Sequence, residues 1–132
     1  MKLIEVVNSM NPLSVLYVCR GLDANIAYRI ARNFKVINEE YEEFEKKKKE
    51  LADKYAEKDK NGDFIIKKIN EVETYSMTVE NELLFREQIA KLLNEEVELK
   101  IKKVKLGDIS KSGLSGEELI LLNYMIEFDE DE

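Results

Sequence analysis

The sequence predicts an α+β fold, mostly α: a long-helix antiparallel hairpin, coiled-coil-like, with a small β element and a short C-terminal helix. Three observations predict it. Ala27, Ile30, Phe34, Ile37, Tyr41, Phe44, Lys48, Leu51 and Tyr55 follow one another at steps of three and four, and all but Lys48 are apolar or aromatic. Such steps draw one stripe along a single helix, made to lie against another helix. No Gly or Pro falls between Gly21 and Gly62, so nothing breaks that helix. Val97, Leu99 and Ile101 then alternate with Glu98, Lys100 and Lys102, the period of a half-buried strand.

The chain reads as a single domain over residues 1–132. Residues 1–21 form an N-terminal helical segment, with Leu3, Val6, Val7, Met10, Leu13, Leu16 and Tyr17 at helical spacing. Asn11 and Pro12 suit an N-cap followed by a first helical residue, which leaves two short helices or one kinked helix open. Gly21 closes the segment in the left-handed conformation. Residues 22–94 form the hairpin. Asp23 caps a helix over 24–58, about 50 Å long at 1.5 Å per residue. Ile26 and Ala31 broaden its apolar face at first, while Asn38, Glu40, Glu45 and Lys47 narrow it later, so the first half should pack in a core and the second half project or meet a single partner helix.

A turn at Lys58–Asp63, centred on Asn61-Gly62, leads to a short strand near 63–67. Asn70 with Glu73 resembles an N-cap pair opening a second helix to Asn94, its face made by Val72, Tyr75, Val79, Leu83, Ala90 and Leu93 and widened by Phe85, Ile89 and Leu92. Residues 95–127 supply a strand and the C-terminal helix. The strand changes phase at Lys102-Lys103, passing its apolar side to Val104 and Leu106. Ser115 and Glu118 form a capping box between Leu114 and Leu119, and a helix to Ile126 follows. Residues 128–132 are an acidic tail. Two strands are marginal alone, so they pair beneath the helices or with another subunit, and the second option favours a homo-oligomer.

Composition narrows the chemistry. Of 132 residues, 37% are charged and the net charge is −7, which disfavours nucleic acid because affinity for phosphate backbones rests on Lys and Arg. There is no run of 18 apolar residues, so no membrane partner is expected. The opening Met1–Glu5 carries an acid too early for a signal peptide, and the expected location is the cytoplasm. The lone Cys19 lies in an apolar run and reads as a small buried hydrophobe. Histidine is absent, which removes the usual general base, nucleophile partner and zinc ligand. Glu39–Glu45 precede Lys46–Lys49 on the long helix and read as a solvated face with ion pairs one turn apart. Asp59–Asp63 resembles a calcium loop, but Lys68 stands where the bidentate Glu belongs. Gly107–Gly113 holds Gly, Lys and Ser in the wrong order for a phosphate loop.

The expectation is therefore no enzyme: no catalytic residue, no cofactor and no metal. Function falls to a protein partner or to self-association, through Tyr41, Phe44, Leu51 and Tyr55, where the seam's flanks are charged. Phe34, Tyr41, Lys48 and Tyr55 fill seam positions that parallel dimers give to β-branched residues, which speaks against a parallel zipper. The alternative is a nucleic-acid-associated protein using Lys46–Lys49 and Lys100–Lys105.

The opening Leu3–Met10, the stretch Asn25–Phe34 entering a Glu/Lys helix, the turn Glu57–Gly62, and the ending Val97–Asp108 with Leu114–Leu119 and Met125–Glu127 together resemble a family of small phage and prophage proteins of Gram-positive bacteria. The resemblance covers most of the chain and carries no assigned activity. It implies a phage accessory protein, acting in the host cytoplasm or associated with the virion. Such a protein would modulate a host protein, for example of a defence system, or assist virion assembly.

Overall fold

The computed structural model describes residues 1–127; the acidic tail lies outside them. The elements are α1 (Leu3–Tyr17), α2 (Ala24–Tyr55), β1 (Ile66–Ile69), β2 (Val72–Tyr75), α3 (Val79–Leu93), β3 (Val104–Lys105), α4 (Gly116–Leu121) and β4 (Ile126–Glu127). Short 3-10 turns cover Leu106–Ile109 and Asn123–Met125. The chain is mostly helical, with one long helix, a small antiparallel strand pair and a short C-terminal helix. It gathers into two compact units: residues 1–42 with those from 95 on, and residues 43–94. Helix α2 gives its first part to one unit and its last part to the other.

In the first unit α1 is a single helix that runs through Pro12. Its buried face, Leu3, Val6, Ser9, Pro12, Leu13 and Leu16, keeps helical spacing across the proline. Burial of that face outweighs the one hydrogen bond Pro cannot donate. Asn11 is therefore mid-helix and caps nothing. Gly21 does take a left-handed φ of 89°, but in the turn after the helix, whose C-cap is Val18.

Helix α2 starts after Asp23, whose carbonyl accepts from the Ala27 N–H at 2.9 Å. Its buried face here is Ile26, Ile30, Asn33 and Ile37, while Ala27 is exposed and Phe34 half-buried. Phe34 stacks on Tyr17 with ring centroids 4.2 Å apart. The stripe thus sits partly on the neighbouring row, because the buried Asn33 carries a job that hydrophobicity cannot register. Its side chain accepts from the Lys102 N–H at 2.7 Å and donates to the Lys102 carbonyl at 2.8 Å, standing in for a neighbouring strand.

Residues 97–101 lead up to that anchor. They alternate half-buried and exposed as a strand would, yet they join no ladder. Instead Leu3 N–H donates to the Glu95 carbonyl at 2.9 Å and Val97 N–H to the Met1 carbonyl at 2.8 Å. The phase change at Lys102-Lys103 leads into β3, which pairs parallel with β4 in the register Val104↔Ile126 and Lys105↔Glu127. The expected capping box is formed: Ser115 Oγ accepts from Glu118 N–H at 3.2 Å and Glu118 Oε1 from Ser115 N–H at 3.1 Å. The helix stops at Leu121, short of Ile126, because Leu122, Met125 and Ile126 turn into the core together with Val104 and Ile109.

In the second unit the turn after α2 is held by Asp59, whose Oδ1 accepts from Asn61 N–H at 2.8 Å and Asp63 N–H at 3.1 Å. Gly62 adopts a φ of 82°, as an Asn-Gly turn requires. The strand expected near 63–67 lies at Ile66–Ile69, and Phe64 makes only an isolated bridge to Lys58. The helix expected from Asn70 begins at Val79, capped by the Thr78 hydroxyl, which accepts from Asn81 N–H at 3.2 Å. Between them β1 and β2 pair antiparallel, from Ile66↔Tyr75 to Ile69↔Val72. Asn70 and Glu71 are the two-residue turn, with φ of 51° and 66°. Asn tolerates that conformation, and Val72, Thr74 and Tyr75 favour a strand over the helix that their spacing suggests. The two strands anticipated from sequence do not pair with each other: the first pairs with β2, and of the second only Val104–Lys105 pairs, with β4.

Glu71 carries a Cβ into a left-handed position, at a cost of about 1–2 kcal/mol. Glu71→Gly relieves this and adds unfolded-state entropy, so stability should rise by roughly 0.5 kcal/mol in urea denaturation. A loss of similar size would contradict this turn geometry.

Candidate functional site

No residue of α3 is buried. Val79 is 77% exposed and Leu83 65%, and in the hairpin Ile69 and Val72 are 53% and 61% exposed. Fully burying a side chain of this size is worth about 1.5–3 kcal/mol, so the second unit leaves substantial apolar surface unused. The hairpin and α3 also border an open groove of about 490 Å³. Ile66, Ile69, Tyr75, Met77 and Phe85 supply its apolar lining, and Lys48, Lys67, Arg86, Glu73 and Glu82 its charged rim. Arg86 is fixed there by a 2.7 Å ion pair to Glu82, one turn earlier on α3. Asn81 Nδ2 donates to the Tyr55 carbonyl at 3.2 Å, satisfying one of the free carbonyls at the end of α2 and tying it to the start of α3.

The four seam residues singled out from sequence are placed differently from one another. Phe44 is 5% exposed and serves the chain's own core. Tyr41, Leu51 and Tyr55 are half-buried. Lys46, Lys47 and Lys49 are exposed, and Lys48 turns into the groove. Lys100, Lys102, Lys103 and Lys105 are exposed in the first unit. Among the described residues no three Cys, Asp or Glu side chains cluster to hold a metal ion, and no helix is long and apolar enough to cross a membrane. Cys19 is half-buried with its Sγ 3.5 Å from the Arg20 carbonyl.

The sequence reads Val72, Val79 and Leu83 as part of a face broad enough to cover the long helix and something else besides, and all three are exposed. The available signal was the breadth of that face: apolar residues around nearly half of a helix exceed what one neighbour can cover. The sequence matches no protein-family model, and neither a curated protein nor a solved structure shows significant similarity to it.

Proposed function

We propose that the chain is a non-enzymatic phage or prophage accessory protein that works by protein–protein contact. It either modulates a host protein, for example of a defence system, or assists virion assembly. One observation carries the reading: α3 and the β-hairpin turn Val79, Leu83, Ile69 and Val72 to solvent, and a partner or a second copy would recover their burial. The absence of histidine supports a binding role over a catalytic one. A coiled-coil-like antiparallel pairing of the long helix and a homo-oligomer using Tyr41, Leu51 and Tyr55 belong to the same proposal, as does action in the host cytoplasm or on the virion.

The test is to express the tagged protein in a Gram-positive host and size its native complexes by light scattering and mass spectrometry. A stoichiometric host protein identifies a modulator; a closed homo-oligomer identifies an assembly role. In either case Val79→Asp with Leu83→Asp should weaken the association about tenfold or more without lowering helix content. Association unchanged in that variant would remove this surface from the proposal. Salt-sensitive binding of a nucleic acid through Lys46–Lys49 and Lys100–Lys105 would favour the alternative reading instead.

A further inference from the structure

Residues 24–38 and 99–107 of this acidic chain carry several basic residues and no acid. Between Asp23 and Glu39 the only charges are Arg29, Arg32 and Lys35; between Glu98 and Asp108 they are Lys100, Lys102, Lys103 and Lys105. They lie far apart in sequence, and the first unit brings them together. Buried Asn33 pins the Lys102 backbone to α2 through its two bonds, and one nitrogen of Arg29, Nη1, donates to the Lys103 carbonyl at 2.9 Å. The result is an open groove of about 460 Å³ lined by Tyr28, Arg29, Arg32, Ile101, Lys102 and Lys103.

No carboxylate lines this groove, and among the described residues none lies within ion-pair distance of its four cations. Three lysines and arginines outside the groove do pair with a carboxylate: Lys58 with Asp53, Arg86 with Glu82 and Lys91 with Glu87. Lys103 turns its ammonium to the Tyr124 carbonyl, which leaves Arg29, Arg32 and Lys102 as the groove's charge. Arg29 has spent one of its five donors, so its guanidinium is oriented and still able to bind. Tyr28 is 63% exposed, with the Arg32 guanidinium 5.9 Å from its ring centroid and 3.3 Å from its hydroxyl.

We propose that this groove binds a nucleoside phosphate, with the phosphate on Arg29, Arg32 and Lys102 and the base against the Tyr28 ring. Forked guanidiniums beside a lysine match a doubly charged phosphate, and an exposed aromatic ring is a platform on which any base can stack. The chain's charge selects a small ligand over a polynucleotide. Screening confines the groove's field to about 10 Å at 0.1 M salt, so a long polyanion would extend past it onto a protein of net charge −7. This inference is independent of the partner surface of the second unit.

The experiment is calorimetric titration of the full chain with adenosine diphosphate, pyrophosphate, adenosine and a single-stranded oligonucleotide. One equivalent of the diphosphate should bind, more tightly than pyrophosphate, and adenosine should not. Arg32→Gln, which touches no backbone group, should weaken the diphosphate about tenfold. Tyr28→Ala should weaken it about tenfold and leave pyrophosphate unchanged. No heat with millimolar diphosphate, an unaltered affinity in Arg32→Gln, pyrophosphate bound as tightly as the diphosphate, or tighter binding of the oligonucleotide would each overturn the proposal.

Discussion

Asn33→Ala is expected to destabilise the chain by about 2–4 kcal/mol, a large effect for a single polar side chain. Asn33 is fully buried, and its amide meets both the donor and the acceptor of the Lys102 backbone. Removing it strands an N–H and a carbonyl that have no second protein partner among the described residues, and opens space beside Ile30 and Ile37 on the same helical face. Asn33→Leu should fare no better, since it restores volume but not the two bonds. Asn33→Asp keeps the acceptor, loses the donor and introduces a buried charge. Thermal unfolding followed by circular dichroism should show a drop of roughly 10 °C for the alanine variant. A change within about 2 °C would mean that the segment carrying Lys102 is held by other contacts. The same variant should also abolish binding at the proposed nucleotide groove, because Lys102 and Lys103 would no longer be fixed beside Arg29.

The second large effect lies at alkaline pH. The Tyr124 hydroxyl is bonded to Ser9 Oγ at 3.0 Å, and burial pushes its pKa up from 10.0 to about 12, against a smaller lowering by that bond. A tyrosine in the unfolded chain ionises near pH 10, whereas the folded one holds its proton to about 12. Above pH 10 the unfolded state therefore sheds the proton first, and stability falls until the folded group also ionises. The contribution is fully present below pH 10, and roughly 2–3 kcal/mol of it should be gone by pH 12. Tyr124→Phe should cost about 1 kcal/mol at neutral pH for the lost bond and flatten the profile between these values. Urea midpoints taken across pH 9–12 decide it; equal slopes in both proteins would place the alkaline loss elsewhere.

Where hydrophobic pattern and backbone chemistry agree, the fold was legible in the sequence. The long helix begins after Asp23, Ile30 and Ile37 are buried on it, and the Ser115–Glu118 box forms as expected. Where a polar residue substitutes for backbone, the pattern misleads. Asn33 is invisible to a hydrophobic stripe, yet it decides which row of α2 faces inward. At Asn70 two uses of asparagine compete, a helix cap and a left-handed turn, and cross-strand pairing of Ile66 with Tyr75 and Ile69 with Val72 settles the second. The spacing of Val72, Tyr75 and Val79 satisfies a helix equally well, so periodicity alone could not choose. The exposed apolar surface of the second unit was hidden for a related reason: a list of apolar residues does not say which of them lack cover. The cationic groove left a trace, the two acid-free stretches, but only the fold joins Arg29 to Lys103.

The first unit is assembled from residues 1–42 and from those beyond 94, stitched by Leu3 to Glu95 and by Val97 to Met1, with the second unit set into the chain between them. In such a layout the inserted piece is a cassette. Closing a loop costs entropy that grows only with the logarithm of its length, about 0.6 kcal/mol per doubling, so the frame is nearly indifferent to how much chain it brackets. Residues 43–94 can then diverge, lengthen or be exchanged while the frame around Asn33 and Tyr124 stays constant. One scaffold can thereby carry a succession of inserted units, provided each newcomer enters in phase with the turns of α2.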